Sequence, residues 1–357
     1  VGYAGVAVAM AVAMAYNGVR ANLSAAGSGF RAPALVPVSI PLPSRETFRP
    51  FVTSRMDTDA FLRPFLVPPG RPIVLARDYD PGYKADYLDK KEAEAALRRG
   101  IQQLARYQEM LYAQNQYALL IVIQGMDASG KDSLIKHVMS GLNPQGTQVY
   151  SFKTPSAEEL DHDYLWRHVK ALPERGRIGI FNRSHYEEVL IVRVHPEILA
   201  GQRLPPQLKD TGIWERRYEE INHFEKFLVN NGTIVLKFFL NISKEEQRRR
   251  FLERIESPEK NWKFSLFDVK ERERWDEYMQ AYEDMLNHTS TPWAPWYVIP
   301  ADHKWFTRLV VAEIIIRTLA GLDLAFPVLD EKRRQELVEA RMLLAGETAS
   351  PPSASRS

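Results

Sequence analysis

One stretch limits the fold of this 357-residue chain more than any other: the run Tyr117 to Gln124 (YALLIVIQ), the loop Gly125-Met126-Asp127-Ala128-Ser129-Gly130-Lys131, and the periodic segment behind it. The run is short, nearly continuous and apolar, as expected of a strand buried on both faces in a parallel sheet. Leu134, Ile135, Val138 and Met139 then recur at helical spacing, and Gly141 supplies a stop. The loop fits G-x-x-x-x-G-K between strand and helix, the context a phosphate-binding loop requires. Two glycines let the backbone curl so that successive N–H groups point inward, the helix N-terminus adds positive potential, and Lys131 contributes a mobile charge. An ordinary glycine-bounded turn is the blander reading, and both the spacing and the flanking elements argue against it.

The alternation continues along the chain. Strands are predicted at Gln148 to Phe152, Arg177 to Phe181, Thr233 to Leu240 and Trp296 to Ile299. Helices are predicted at Leu88 to Tyr112, Ala157 to Leu172, Ser184 to Val194, Trp214 to Asn230 and Phe306 to Ala320, with Met56 to Tyr83 Pro-rich and extended. Five strands alternating with helices indicate an α/β fold with a parallel sheet. The expected organisation is a disordered extension over 1–55, one domain over 56–322 with a charged helical insertion at about 243–287, and a C-terminal helix with a disordered tail over 323–357.

Composition excludes several classes. Hydrophobic residues at 45% and charged residues at 26% are those of a globular protein. The absence of cysteine rules out disulfides, thiolate metal sites and a Cys nucleophile, and fits a reducing cytoplasm. No run of about twenty apolar residues suits a membrane span; Ala4 to Ala15 is too short. The first 55 residues hold five arginines and one acid, so removing them turns the net charge of +2 into −2. They read either as upstream sequence from a misplaced start or as a transit-like segment, and overall charge is no argument for a polyanionic or nucleic-acid partner.

The loop departs from the common pattern in one respect, since Asp132 stands where Ser or Thr is usual and Asp127 lies within the loop. Two carboxylates in an anion cradle make sense as a site for Mg²⁺ bridging carboxylate and phosphate oxygens. A second signal is Arg177 to Ser184 (RIGIFNRS), a strand ending where such enzymes place a metal-orienting acid. Here that position is Asn182, so Asp127, Asp132 and Glu187 must carry more of the metal binding, while Arg183 points at the transferring phosphoryl group. A third is Lys244 to Arg274, with ten basic and eight acidic residues. Arg250 and Arg254 share a helix face and Lys260 and Lys263 flank Trp262, the makings of a lid that closes over phosphates. His137, His185 and His195 show no metal-ligand spacing, and Tyr278, Tyr282, Trp293 and Trp296 read as packing residues.

Taken together, GMDASGKD at Gly125, SFKTPS at Ser151, ELDHDYLWR at Glu159, FNRSHYEEVLIVRVHPE at Phe181, SKEEQRRRFLERIESPEKNWKFS at Ser243 and WAPWYVIPADHKWFTRL at Trp293 resemble the family-2 polyphosphate kinases over nearly all of Met56 to Leu322. The resemblance implies a P-loop kinase-like three-layer fold and phosphoryl transfer from inorganic polyphosphate to nucleotides with Mg²⁺ or Mn²⁺. It implies that Asp127 holds metal, that Lys131 with Gly125, Ala128, Ser129, Gly130 and Asp132 cradles phosphate, and that Arg183 and Arg250 stabilise the transferred group. Lys136 and Lys153, with Arg254 and Lys263 from the lid, are candidates for the polyphosphate path. Most of the family reads F-D-R where this chain has Phe181-Asn182-Arg183; F-N-R resembles the subgroup accepting both AMP and ADP. Adenine nucleotides are the expected acceptors with guanine as the alternative, in a homo-oligomer. An ATP-dependent nucleoside monophosphate kinase and a non-catalytic polyanion-binding scaffold are the rival readings.

Overall fold

A computed structural model describes residues 58–84 and 89–347. The expected disorder at 1–55 and beyond 350 lies outside the described residues. Five strands, β1 (Ala118–Gln124), β2 (Thr147–Ser151), β3 (Ile178–Asn182), β4 (Thr233–Asn241) and β5 (Trp296–Pro300), form one parallel sheet in the order β2-β3-β1-β4-β5. Every residue of β1 is buried, so both faces of the sheet are covered there. β2, at the edge, is half exposed.

The principal helices are α1 (Lys90–Gln114), α2 (Lys131–Val138), α3 (Ile213–Asn230), α4 (Lys244–Glu256), α5 (Leu266–Glu271), α6 (Trp275–Thr289), α7 (Lys304–Ala320) and α8 (Glu331–Glu347). α1 begins at a capping box, in which the Asp89 carboxylate accepts from Glu92 N–H and the Glu92 carboxylate accepts from Asp89 N–H. It packs against α7, whose sequence KWFTRLVVAEIIIRTLA is apolar almost all round and buried accordingly. α3 packs on β4 and α6. No described helix is long and apolar enough to cross a membrane.

Four expectations change in detail. The segment 157–172 is two short helices, Ala157–Leu160 and Trp166–Val169, because the Asp163 carboxylate accepts from the N–H groups of Leu165 and Trp166 and forms a turn between them. The segment 184–194 is a 3-10 turn, His185–Val189, followed by Ile191–Val194, since burial of His185 and Tyr186 overrides the helical period. The Pro-rich start is partly helical, at Thr58–Leu62 and Leu75–Asp78, with Phe61 and Phe65 edge-on to Phe306. The insertion is smaller than 243–287: α6 is a core helix, with Ala281, Tyr282, Met285 and Leu286 buried, so the projecting part is the stretch around the exposed Trp262, Leu266 and Phe267.

Candidate active site

The chain builds β2 and β3 on one side of β1 and then crosses to place β4 and β5 on the other. The carboxyl ends of the central strands therefore diverge at the loop after β1, the crevice where open α/β sheets bind ligands. Gly125 has φ 152°, and a Cβ there would stand 2.9 Å from both the Leu240 carbonyl oxygen and Ser129 Oγ. Gly130, at φ 106°, opens α2. Between them Ala128 is left-handed at φ 61°, a conformation costing about 1–2 kcal/mol outside glycine and persisting only where its surroundings enforce it. The Ser129 hydroxyl is buried in this curl with no hydrogen-bond partner in the protein, a donor suited to an anion.

A second left-handed residue faces the loop. Arg183, at φ 63°, follows β3, and its N–H donates to the Ile123 carbonyl at 3.1 Å, locking the turn onto the end of β1. Its guanidinium reaches across to Asp127, Nη2 to Oδ1 at 2.9 Å, with a Glu187 oxygen 4.0 Å away. Lys131 is buried beneath, and its ammonium donates to the carbonyls of Gly125 (2.6 Å) and Met126 (3.2 Å). Burial pushes the Lys131 ammonium down from its usual range, against the carboxylates of Asp127, Glu187 and Asp132. Burial likewise pushes the Glu187 carboxyl up, against Arg183 and Lys131. Gln124, with its amide oxygen on Ser184 N–H at 3.1 Å, donates to Glu187 at 2.9 Å.

The four expected metal ligands do not converge. Asp127 pairs with Arg183, Glu187 is held by Gln124, and the Asn182 amide nitrogen donates to Asp132 Oδ1 at 2.7 Å and lies 3.4 Å from Ser151 Oγ. Among the described residues no three acidic or histidine side chains form a metal cluster. Asn182 thus orients Asp132 through its amide nitrogen. The two loop carboxylates, exposed or half-exposed at the rim, still suit Mg²⁺, which uses one or two carboxylates and completes its shell with water and substrate phosphates.

Arg250 departs furthest from expectation. Its side chain is buried, and all five N–H groups are taken by protein: Nε by Glu246 at 2.7 Å, Nη1 by the carbonyls of Ala128 and Ser129 at 2.9 Å each, Nη2 by those of Ala301 (2.5 Å) and Asp302 (3.1 Å). It fastens the phosphate loop to α4 and to the end of β5, with no donor left for a phosphate. Arg254 pairs with Asp268 at 3.5 Å. Lys136 lies one turn along α2 from Asp132, exposed, and Lys153 is exposed two residues beyond β2. Lys263 belongs to the turn Asn261–Lys263, and its side chain lies outside the described residues.

The structure also recruits residues that motif reading passed over. Gln247 donates to the Asp127 carbonyl at 3.0 Å and accepts from Arg272 at 2.9 Å. Burial and the Asp127 charge push the Asp268 carboxyl up, and burial and Glu187 push the Tyr282 phenol far up. Gln247 shares a helix face with Arg250, and that i, i+3 spacing was the one available signal.

Residues 87–326 match the profile of polyphosphate kinase 2 (PPK2). An "ADP-polyphosphate phosphotransferase" of Rhodopseudomonas palustris is 51% identical over 259 residues, 72% of this chain and 90% of its own length. An "AMP/ADP-polyphosphate phosphotransferase" of Meiothermus ruber is 48% identical over 236 residues, 66% of this chain and 83% of its own. The crystal structure of a polyphosphate kinase 2 from Arthrobacter aurescens TC1 superposes with a TM-score of 0.69 at 40% identity, covering 76% of this chain and 94% of that one.

Proposed function

Because the chain belongs to the polyphosphate kinase 2 family and so moves phosphoryl groups between polyphosphate and nucleotides, we propose that it converts AMP to ADP and ADP to ATP at the loop after β1. One observation carries this reading: Lys131 beneath the loop and Arg183 turned over it bring two cations to one crevice at the centre of the sheet.

In the forward step a terminal phosphate oxygen of AMP or ADP attacks the end phosphorus of polyphosphate. A new P–O bond forms, the bridging P–O bond breaks in line, and the electron pair leaves on the shortened polyphosphate. Little covalent work falls to the protein, so positioning and charge neutralisation dominate. Lys131 exchanges its carbonyl partners for phosphate oxygens. Arg183 turns from Asp127 to the transferring group, where a planar guanidinium spans two equatorial oxygens. Asp127 and Asp132 would hold Mg²⁺, with Mn²⁺ as a substitute, and the ion supplies charge neutralisation at the phosphates. The identity of the ion, the adenine preference and a cytoplasmic location belong to this proposal. The resemblance also suggests a homo-oligomer.

Incubation with AMP, Mg²⁺ and long-chain polyphosphate in the absence of ATP tests it. ADP followed by ATP, resolved by anion-exchange chromatography, is the expected result. No nucleotide product, or product only with ATP as donor, would overturn it.

A further inference from the structure

β4 reads TIVLKFFLN, with a lysine in the middle of an apolar strand. Lys237 is fully buried, as is its partner Glu225 on α3, and the two meet at 2.6 Å. The ammonium spends its three N–H groups on Glu225 Oε2, the Tyr186 hydroxyl (2.9 Å) and the Thr289 carbonyl (2.7 Å). The Tyr186 hydroxyl in turn donates to Glu225 Oε1 at 2.7 Å, closing a ring of three side chains. Tyr186 also packs edge-on to Trp296, its ring centroid 4.8 Å away, and His185 Nε2 lies 3.5 Å from Glu225.

Stability alone does not account for this arrangement. Taking two charges out of water costs several kcal/mol per ion, and well-packed apolar residues commonly serve as well or better in such a place. What the ring holds is more telling. Tyr186 and His185 belong to the short turn His185–Val189, which is separated from the left-handed Arg183 by its cap Ser184 alone and contains Glu187. A strained backbone keeps its shape only where several contacts over-determine it. Arg183 has one such contact on its own N–H, to Ile123, and Ser184 has the Gln124 amide. The turn itself is held at three points: Glu187 by Gln124 at 2.9 Å, Glu188 by Arg217 at 3.2 Å and Gln202 at 3.0 Å, and Tyr186 by the buried ring, the anchor that lies nearest in sequence to Arg183.

We propose that Lys237 and Glu225 are positioning residues, which through the Tyr186 hydroxyl fix the turn that aims Arg183 across the phosphate loop. This rests on the role assigned to Arg183 above, and the test separates the two. It is a cycle of Tyr186→Phe, Arg183→Ala and the double variant, assayed by steady-state polyphosphate-dependent ATP formation.

Arg183→Ala is expected to lower kcat about a hundredfold, the usual effect of losing one donor to transition-state charge. Tyr186→Phe keeps the ring packing and removes only the hydroxyl. It should lower kcat about tenfold, the size of a positioning error of a fraction of an ångström, with KM for polyphosphate changed less than about twofold. In the Arg183→Ala background Tyr186→Phe should cost nothing further, because there is no guanidinium left to aim.

Full activity of Tyr186→Phe beside an impaired Arg183→Ala overturns the positioning role alone. Equal, additive losses in both backgrounds mean a general structural role and overturn it too. Full activity of Arg183→Ala overturns both readings. As a second arm that leaves Tyr186 itself in place, the neutral pair Lys237→Met with Glu225→Gln should keep or raise Tm while kcat falls at least fivefold; parental kcat in that folded variant refutes the proposal.

Discussion

Replacing Arg250 by lysine separates two accounts of that residue. If the guanidinium touched the transferring phosphate, Arg250→Lys would keep the charge, lower kcat and leave the stability of the free protein unchanged. The structure gives a different expectation. Five N–H groups meet five acceptors, four of them backbone carbonyls of the phosphate loop and of the segment after β5. A lysine carries three donors on one nitrogen and cannot span both loops. Of five acceptors at least two are left without partners, at about 1–3 kcal/mol each, so the loss is about 2–6 kcal/mol. With a urea slope near 3 kcal/mol/M, the unfolding midpoint should fall by about 0.7–2 M. The loop should loosen at Ala128, whose left-handed φ of 61° is held by one of these bonds, and kcat should fall by about ten- to a hundredfold. Urea unfolding followed by circular dichroism, together with steady-state kinetics, measures both. A variant with the parental urea midpoint and a reduced kcat would refute the anchoring role and return the guanidinium to the phosphate.

Three further expectations follow from particular contacts. Glu313 on α7 is fully buried with both carboxylate oxygens unpartnered, and burial pushes its pKa up to about 8. It stays protonated in the folded state while the unfolded chain ionises above its ordinary pKa, so stability is lost between about pH 5 and 8, at up to about 1.4 kcal/mol per pH unit. Glu313→Gln should flatten that decline and gain a few kcal/mol at pH 8; a Tm that falls with pH as steeply as in the parent refutes it. Asn182→Asp sets a second carboxylate where the amide donates to Asp132 at 2.7 Å. It should lower Tm in chelator by several degrees and recover the loss with millimolar Mg²⁺, whereas a Tm indifferent to Mg²⁺ would show that Asp132 does not face a cation. Lys131→Ala should abolish transfer in a protein that still unfolds cooperatively, and turnover within tenfold of the parent would remove Lys131 from the reaction.

Much of the fold was legible because it rests on local pattern. The apolar runs of β1 and β4 mark strands buried on both faces, and G-x-x-x-x-G-K between strand and helix marks the phosphate loop. Asp127, Lys131 and Arg183 followed from that loop and the strand end beside it, and the structure brings all three together. The single helix expected over 184–194 is broken into a 3-10 turn and a short helix, because nothing in its periodicity reveals that His185 and Tyr186 turn inward to Glu225 and Lys237. The bounds expected for the charged insertion reach too far for a related reason: Trp275 to Thr289 is rich in charge, and only the core shows that its Ala281, Tyr282, Met285 and Leu286 are covered.

By itself, then, the sequence determined the class of sheet, the loop and the kind of group that it grips, since each depends on neighbours a few residues apart. The tertiary structure alone decided what the charged side chains do. Arg250 lies 121 residues from the Ser129 carbonyl that it holds, and Asn182 lies 50 from Asp132. Strand order and the rotation of α4 bring such pairs together, and a hydrogen bond's short reach makes the outcome depend on that placement rather than on the residue types.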